Sequence, residues 1–328
     1  MSAYRYEIIA AQLIRALRGR RSQAALSRRL GYRSNVFYTW ESGRRWPTAA
    51  RFLRFARMAG LDLRAIVKRF HGRMPPRLAR LDLASRAGVA ALIDELRGTR
   101  SIAELARALG ASRSSVSRWL SGRTEPQLPD LLMLIEATTL RLLDFIAELA
   151  DPARVEAVAE RWRILEASRR VARETPWAHA VLRALELQAY QRLPRHEPGW
   201  IARRIGLDLE TERSGLAALE ATGQVRKRKG RYVPADVMTV DTRRDRRAEH
   251  SVREWSARIG LERMRQSEEG VFSFNVFTVS DADLARLQEL QRTFFRQLRT
   301  IVAASEPAQR VAIANVQLFC LDRTEAVS

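Results

Sequence analysis

Slid against itself by 79 positions, the chain of 328 residues overlays without a gap. The segment from Leu13 to Pro47, LIRALRGRRSQAALSRRLGYRSNVFYTWESGRRWP, falls on Leu92 to Pro126, LIDELRGTRSIAELARALGASRSSVSRWLSGRTEP. Leu13/Leu92, Leu17/Leu96, Leu26/Leu105 and Leu30/Leu109 coincide, which apolar spacing in two amphipathic helices accounts for. Gly19/Gly98, Gly31/Gly110, Trp40/Trp119, Gly43/Gly122, Arg44/Arg123 and Pro47/Pro126 coincide as well, which apolar periodicity alone does not produce. One structural unit is present twice, and any fold for the first half of the chain must hold it twice.

Each copy reads as short helices. Ser22 and Ser101 are placed to cap a helix that continues through Leu26/Leu30 or Leu105/Leu109. Gly31 and Gly110 then supply a residue that tolerates positive φ at a turn. Ser112 suits the N-cap of the next helix, a place taken in the first copy by Arg33, a poorer cap. That helix turns Phe37 or Val116 inward and ends at Trp40 or Trp119. Gly43 and Gly122 fit helix C-terminal glycines, and Pro47 and Pro126 precede further helices. Helix, tight turn, helix is the arrangement that lays a second helix in the DNA major groove.

Both copies resemble the Cro/repressor-type (XRE-type) helix-turn-helix family, whose pattern runs Gln-x-x-Leu-Ala-x-x-Leu-Gly, a helix, then Trp-Glu-x-Gly-x-x-x-Pro. The first copy has SQAALSRRLGYRSNVFYTWESGRRWP; the second has SIAELARALGASRSSVSRWLSGRTEP, with Ile102 for the Gln and Leu120 for the Glu. The resemblance implies base-reading positions at Ser34, Asn35 and Thr39 in the first copy and at Arg113, Ser114 and Arg118 in the second. Asn35 suits a bidentate pair with adenine and the two arginines suit guanine, whereas Ser and Thr discriminate weakly. It also implies a phosphate contact for Gln23, with Arg20, Arg21, Arg33, Arg44, Arg45 and, in the second copy, Arg123 positioning the units on the backbone. Trp40, Trp119, Phe37 and Val116 are expected in the core and are given no DNA contact.

Charge separates the two copies. The net charge is +21, and residues 1–80 carry 19 basic side chains against 3 acidic ones. Residues 81–150 carry 8 against 9, residues 151–240 carry 17 against 12, and residues 241–328 carry 14 against 13. Fifty-five arginines beside three lysines are what a GC-rich codon bias gives, but such a bias does not gather base at one end. A basic N-terminal module attracts a polyanion. The first copy is therefore expected as the principal DNA reader, and the second either touches DNA or serves packing and dimerisation.

Pro75-Pro76 between the copies disfavours helix and reads as a short stiff connector. From Asp151 an amphipathic stretch with Val155, Val158, Trp162 and Leu165 leads onward. WIARRIGLDLETERSGLAALEATGQVRKRKGRYVP, from Trp200, reads as helix, turn, helix and a hairpin near Gly230, an order that resembles a winged helix. Its second helix holds Asp208, Glu210 and Glu212, unfavourable against phosphates. The wing residues Arg226, Lys227, Arg228, Lys229 and Arg231 are the better candidates for a backbone or minor-groove contact, with a solvated basic hairpin as the alternative. After an arginine-rich helix from Arg243 to about Gln266, VFSFNVFTV after Gly270 alternates as a strand. Ser280 with Asp283 resembles a capping box opening a helix of about six turns, and VAIANVQLFCL after Arg310 reads as a second strand with Cys320 buried. Residues 150–325 resemble the C-terminal region of an uncharacterised bacterial regulator-like family defined by a domain of unknown function. Leu318-Phe319-Cys320-Leu321 stands where that family has Leu-Phe-Pro-Leu. That resemblance implies transcriptional regulation without a known ligand.

The four histidines are dispersed, no spacing suggests a metal site, and no glycine-rich loop is placed to cradle phosphate. An enzyme is not expected, nor a cofactor. With a single cysteine and no long apolar run, the chain is expected in the cytoplasm, associated with the nucleoid and not with a membrane. The expected fold is mainly α: a first helix-turn-helix domain (1–74), a Pro-containing linker (75–84), a second helix-turn-helix domain (85–150), a helical and winged-helix-like region (151–240) and a small strand-helix-strand C-terminal unit (241–328) for dimerisation or regulation. The expected function is sequence-specific binding of double-stranded DNA to regulate transcription, as a homodimer with an unknown effector. A low-specificity architectural DNA or RNA binder and a protein-interaction adaptor are the alternatives.

Overall fold

The computed structural model describes residues 4–235, 245–266, 270–303 and 305–322. The chain is mainly helical and divides into two compact units after Arg163. The first unit holds two sets of five helices. One set is α1 (Tyr6–Arg18), α2 (Gln23–Arg29), α3 (Val36–Glu41), α4 (Ala49–Met58) and α5 (Leu63–His71). A short helix, α6 (Pro76–Ala79), leads to the other: α7 (Arg86–Arg97), α8 (Ile102–Leu109), α9 (Arg113–Leu120), α10 (Leu128–Thr139) and α11 (Leu142–Leu149). Corresponding ends keep the offset of 79 to within two residues.

Local chemistry explains these elements. Ile9, Ala10, Leu13 and Ile14 share one face of α1 and are fully buried. Phe37 stacks edge-on against Phe55 at 4.7 Å and lies 5.0 Å from Trp40, so α3 is fastened to its set by aromatic packing. Gly31 and Gly110 do adopt positive φ, 84° and 59°. Gly88 stands where α1 has Ile9, because a Cβ there would lie 2.1 Å from the Asp82 carbonyl oxygen. The connector departs from expectation. Pro76 occupies the first turn of α6, where a missing N–H is harmless, and Leu78 is fully buried beneath it.

The two sets face each other through their own counterparts. Thr48 and Gln127 form an antiparallel bridge. Beside it the Ala49 amide donates to the Pro126 carbonyl, and the Leu128 amide donates to the Pro47 carbonyl, both at 2.9 Å. Helix α4 packs on α10 and α5 on α11, while α1 meets α10 and α7 meets α4. The Arg69 guanidinium reaches the Glu148 carboxylate at 2.6 Å, and Phe70 meets Phe145 edge-on at 5.6 Å. Arg141, buried at the start of α11, donates to the Phe70 carbonyl at 2.5 Å and covers the Phe70 ring. Leu53, Leu63 and Phe70 from one set and Leu96, Ile135 and Phe145 from the other line a shared apolar cavity.

Helix α12 (Glu156–Glu174) runs from the first unit into the second. There α13 (Ala178–Leu185), α14 (Gln188–Gln191), α15 (Trp200–Ile205) and α16 (Leu209–Ala221) precede a hairpin of β1 (Val225–Arg228) and β2 (Arg231–Pro234). Val181, Leu185, Tyr190, Ile201, Leu216 and Leu219 form the core. Gly215 lets α16 approach α13, since a Cβ there would lie 3.0 Å from a Val181 methyl. The hairpin pairs Val225 with Pro234 and Arg228 with Arg231. Its two turn residues, Lys229 and Gly230, both have positive φ, as a two-residue hairpin turn requires.

Helix α17 (Arg246–Arg265) and the long α18 (Asp281–Ala303) follow; Arg243, the expected start of the former, lies outside the described residues. Ser280 caps α18, accepting from the Asp283 amide at 3.1 Å. The expected strands on either side of α18 do not form among the described residues. Residues 270–279 and 311–320 form no strand, Phe274 is 95% exposed, and Cys320 is exposed rather than buried. Alternating apolar residues suit a half-buried surface but do not supply the second edge that a ladder needs. The second segment instead rests on neighbours: Val311 packs on the core, Ala308 accepts from the Gln188 amide, and Val316 accepts from the Gln291 side chain at 2.9 Å.

Candidate nucleic-acid interface

In the first set, the turn between α2 and α3 is built around polar groups. Ser22 caps α2, accepting from the Ala25 amide at 3.4 Å. Ser27, buried, accepts from the Phe37 amide at 3.3 Å and lies 3.3 Å from Asn35 Oδ1. Asn35 is the N-cap of α3, its Oδ1 accepting from the Tyr38 amide at 3.3 Å. The cap therefore sits two residues later than Arg33, and α3 is shorter than α9. Ser34 and Asn35 are exposed, whereas Thr39 is half-buried with its hydroxyl donating to the Val36 carbonyl at 2.8 Å. The structure thus keeps Ser34 and Asn35 at the entrance of α3 and draws Thr39 back against its own backbone.

Glu41 organises the back of this set. It is 7% exposed, and its carboxylate receives Arg18 Nε at 2.5 Å, Arg18 Nη2 at 3.0 Å and Gln23 Nε2 at 2.9 Å. That bond holds the Arg18 guanidinium above its usual pKa. Gln23, expected on a phosphate, spends its side-chain amide in this clasp. The residues in the clasp's place in the second set are Ile102 and Leu120, and Arg97 turns to Asp94 at 2.6 Å instead. The second set thus has an apolar pair at the two positions where the first has a hydrogen-bonded polar pair.

Arg20, Arg21, Arg33, Arg44 and Arg45 are all exposed. Arg21 leans on the carbonyls of Leu17 and Ala59. The Arg44 guanidinium lies 5.6 Å from the ring of Tyr38, which is 51% exposed on α3. Tyr38 is not among the positions that the family pattern marks as base-reading. Its helical position, one residue off the buried face, is the signal that could have found it.

The second set is better formed. Ser101 and Glu104 make a reciprocal capping box, at 3.2 and 2.7 Å, and the main-chain bond holds the Glu104 carboxyl below its ordinary pKa. Ser112 caps α9, accepting from the Ser115 amide at 3.1 Å. Arg113, Ser114, Arg118 and Arg123 are exposed. Ser114 and Arg118 stand one turn apart on one face of α9, and Arg118 is braced by Ser115 Oγ at 3.3 Å.

In the second unit Arg226, Lys227, Arg228 and Lys229 are exposed on the hairpin. Arg231 is half-buried and donates to the Gln191 carbonyl, so it braces the hairpin from within instead of lining its outer surface. Lys227 lies 5.0 Å from the Tyr232 ring and 3.8 Å from Glu220. Of the carboxylates of α16 only Glu212 is buried, while Glu210 and Glu220 are exposed. Glu212 is 1% exposed and accepts from the Gly199 and Ala202 amides at the start of α15, while Asp208 caps α16 through Thr211. Among the described residues no group of three His, Cys, Asp or Glu side chains could hold a metal ion, and no helix is long and apolar enough to cross a membrane.

Two family models match the chain. One, described as helix-turn-helix, covers residues 95–145 and so falls on the second set. The other, described as a domain of unknown function (DUF4423), covers residues 157–321. No curated protein and no solved structure matches the chain.

Proposed function

The chain belongs to the family of the DUF4423 domain, and from that premise we propose that it is a sequence-specific regulator of transcription that binds double-stranded DNA. The observation that carries this reading is the helix-turn-helix over residues 95–145 with exposed Arg113, Ser114 and Arg118 on a capped α9. Two guanidiniums on such a helix suit guanine O6 and N7. The first set is read as a second helix-turn-helix because its helices correspond one for one. Ser34, Asn35 and Tyr38 stand at its groove face, and the arginines at 20, 21, 33, 44 and 45 serve the phosphates. Order and packing of α13, α15, α16 and the hairpin support a winged helix, whose basic strand is a backbone contact in the same reading. Pairing of two chains is assigned to the C-terminal region, where extended segments flank α18. No catalytic role and no effector is part of this proposal.

A low-specificity duplex binder is the second reading, and one observation favours it. In the first set Asn35 Oδ1 and Thr39 Oγ1 are both held by the main chain of α3, which leaves that helix few groups for telling bases apart. Genome-wide mapping of bound fragments, followed by footprinting, separates the two. Discrete protected sites that vanish with Arg113→Ala/Arg118→Ala are expected for the regulator. Uniform protection with a steep salt slope and no preferred site would leave only charge-driven binding.

A further inference from the structure

We propose that one chain carries a complete pair of DNA readers related by an internal twofold axis, and that its operator is two inverted half-sites of unlike sequence. This rests on the DNA-binding reading above. The evidence for the axis is that residues of one set bond to their own counterparts in the other. Ala49 to Pro126 and Leu128 to Pro47 are the same hydrogen bond with the two sets exchanged, at the same 2.9 Å. Thr48 and Gln127, bridged between them, are counterparts, as are Arg69 and Glu148. Helix α4 lies on α10 and α5 on α11. Head-to-tail stacking would set one face against a different face; only a twofold brings an element against its own copy.

A twofold axis preserves the sense in which each set faces along it, so a face of α3 that looks along the axis is matched by the same face of α9 on the same side. Duplex DNA has a twofold of its own between inverted half-sites, and a protein pair that shares it reads both. Such a pair is ordinarily two chains. Here the second reader is covalently attached, and the surface that would recruit a partner chain is filled by the sister set. The readers differ, with Ser34, Asn35 and Tyr38 on one side and Arg113, Ser114 and Arg118 on the other. A guanine-containing half-site is therefore expected under α9 and a different one under α3.

The test is selection of bound duplexes from a random-sequence pool with the full chain. The expected motif has two halves in inverted orientation and of different sequence. Arg113→Ala/Arg118→Ala, both exposed, should relax preference in one half by roughly tenfold or more and leave the other intact. Ser34→Ala/Tyr38→Ser should do the reverse. A symmetric palindrome whose halves respond together would mean that two chains each lend the same reader, and overturns the proposal, as does a single half-site. A pool with no enrichment at all sinks the DNA-binding reading itself, a different result from either.

Discussion

At the scale of single residues the clasp around Glu41 is where the two sets differ most in chemistry. Its carboxylate accepts three hydrogen bonds from Arg18 and Gln23 in a nearly closed site, so Glu41→Ala leaves three donor groups without this acceptor. With Arg18 still partly exposed, a loss of about 2–3 kcal/mol is expected in urea unfolding. Gln23→Ile/Glu41→Leu, the pair that the second set carries, should cost less than Glu41→Ala. A larger loss would mean that the two positions are not interchangeable between sets. His196 gives a pH signature. Burial beside Tyr190 and Tyr232 holds its imidazole below the ordinary pKa, against the opposing pull of Glu212. Between that lowered value and about 6.5 the unfolded chain binds the extra proton, so stability falls as pH drops through this window. Thermal unfolding at pH 7.5 and about 5.5 should show wild type losing more on acidification than His196→Gln. Gln23 and Glu41 were readable as letters of a pattern. Their bond to each other was not, since no spacing rule connects the start of one helix to the end of the next.

Among elements, capping separates well-defined helices from weak ones. Helix α8 opens on a reciprocal box and α2 on a single bond of 3.4 Å. Ser101→Ala is expected to cost about 1–2 kcal/mol and Ser22→Ala less than 1, measured as shifts in denaturant midpoint. Equal losses would show that the Glu104 arm adds nothing. Helix starts at Ser22, Ser101, Ser112 and Ser280 were legible because a cap is a local event between residues three apart. The start of α3 was not, because Asn35 wins the cap from Arg33 through Ser27, eight residues away and buried. The segments around α18 failed for a related reason: alternation marks a surface, whereas a ladder depends on another chain segment lying alongside. Glu212 shows the same limit, since its carboxylate reads as a repulsive charge on a groove helix and is in fact the buried cap of α15.

For the molecule as a whole, the joining of the two sets predicts that they unfold together. Phe145 belongs to the second set but packs on Phe70 of the first and is 5% exposed. Phe145→Ala should cost about 3–5 kcal/mol. Hydrogen exchange should show α4 and α5 losing protection in step with α10 and α11; loss confined to the second set would mean that the interface is not cooperative. The correspondence of the two sets of helices was legible in matched Gly, Trp and Pro, but which faces meet was not, because the bridged residues Thr48 and Gln127 differ and a sequence match says nothing of contacts. The bridge at those two residues has a consequence for how such a reader varies. In a homodimer every substitution appears on both sides of the axis at once. Here the halves are separately encoded, so Glu41 can stand opposite Leu120 and Tyr38 opposite Ser117. Under the proposed two-reader arrangement, one half of the operator can be rewritten without disturbing the other, whereas in a symmetric pair both halves change together.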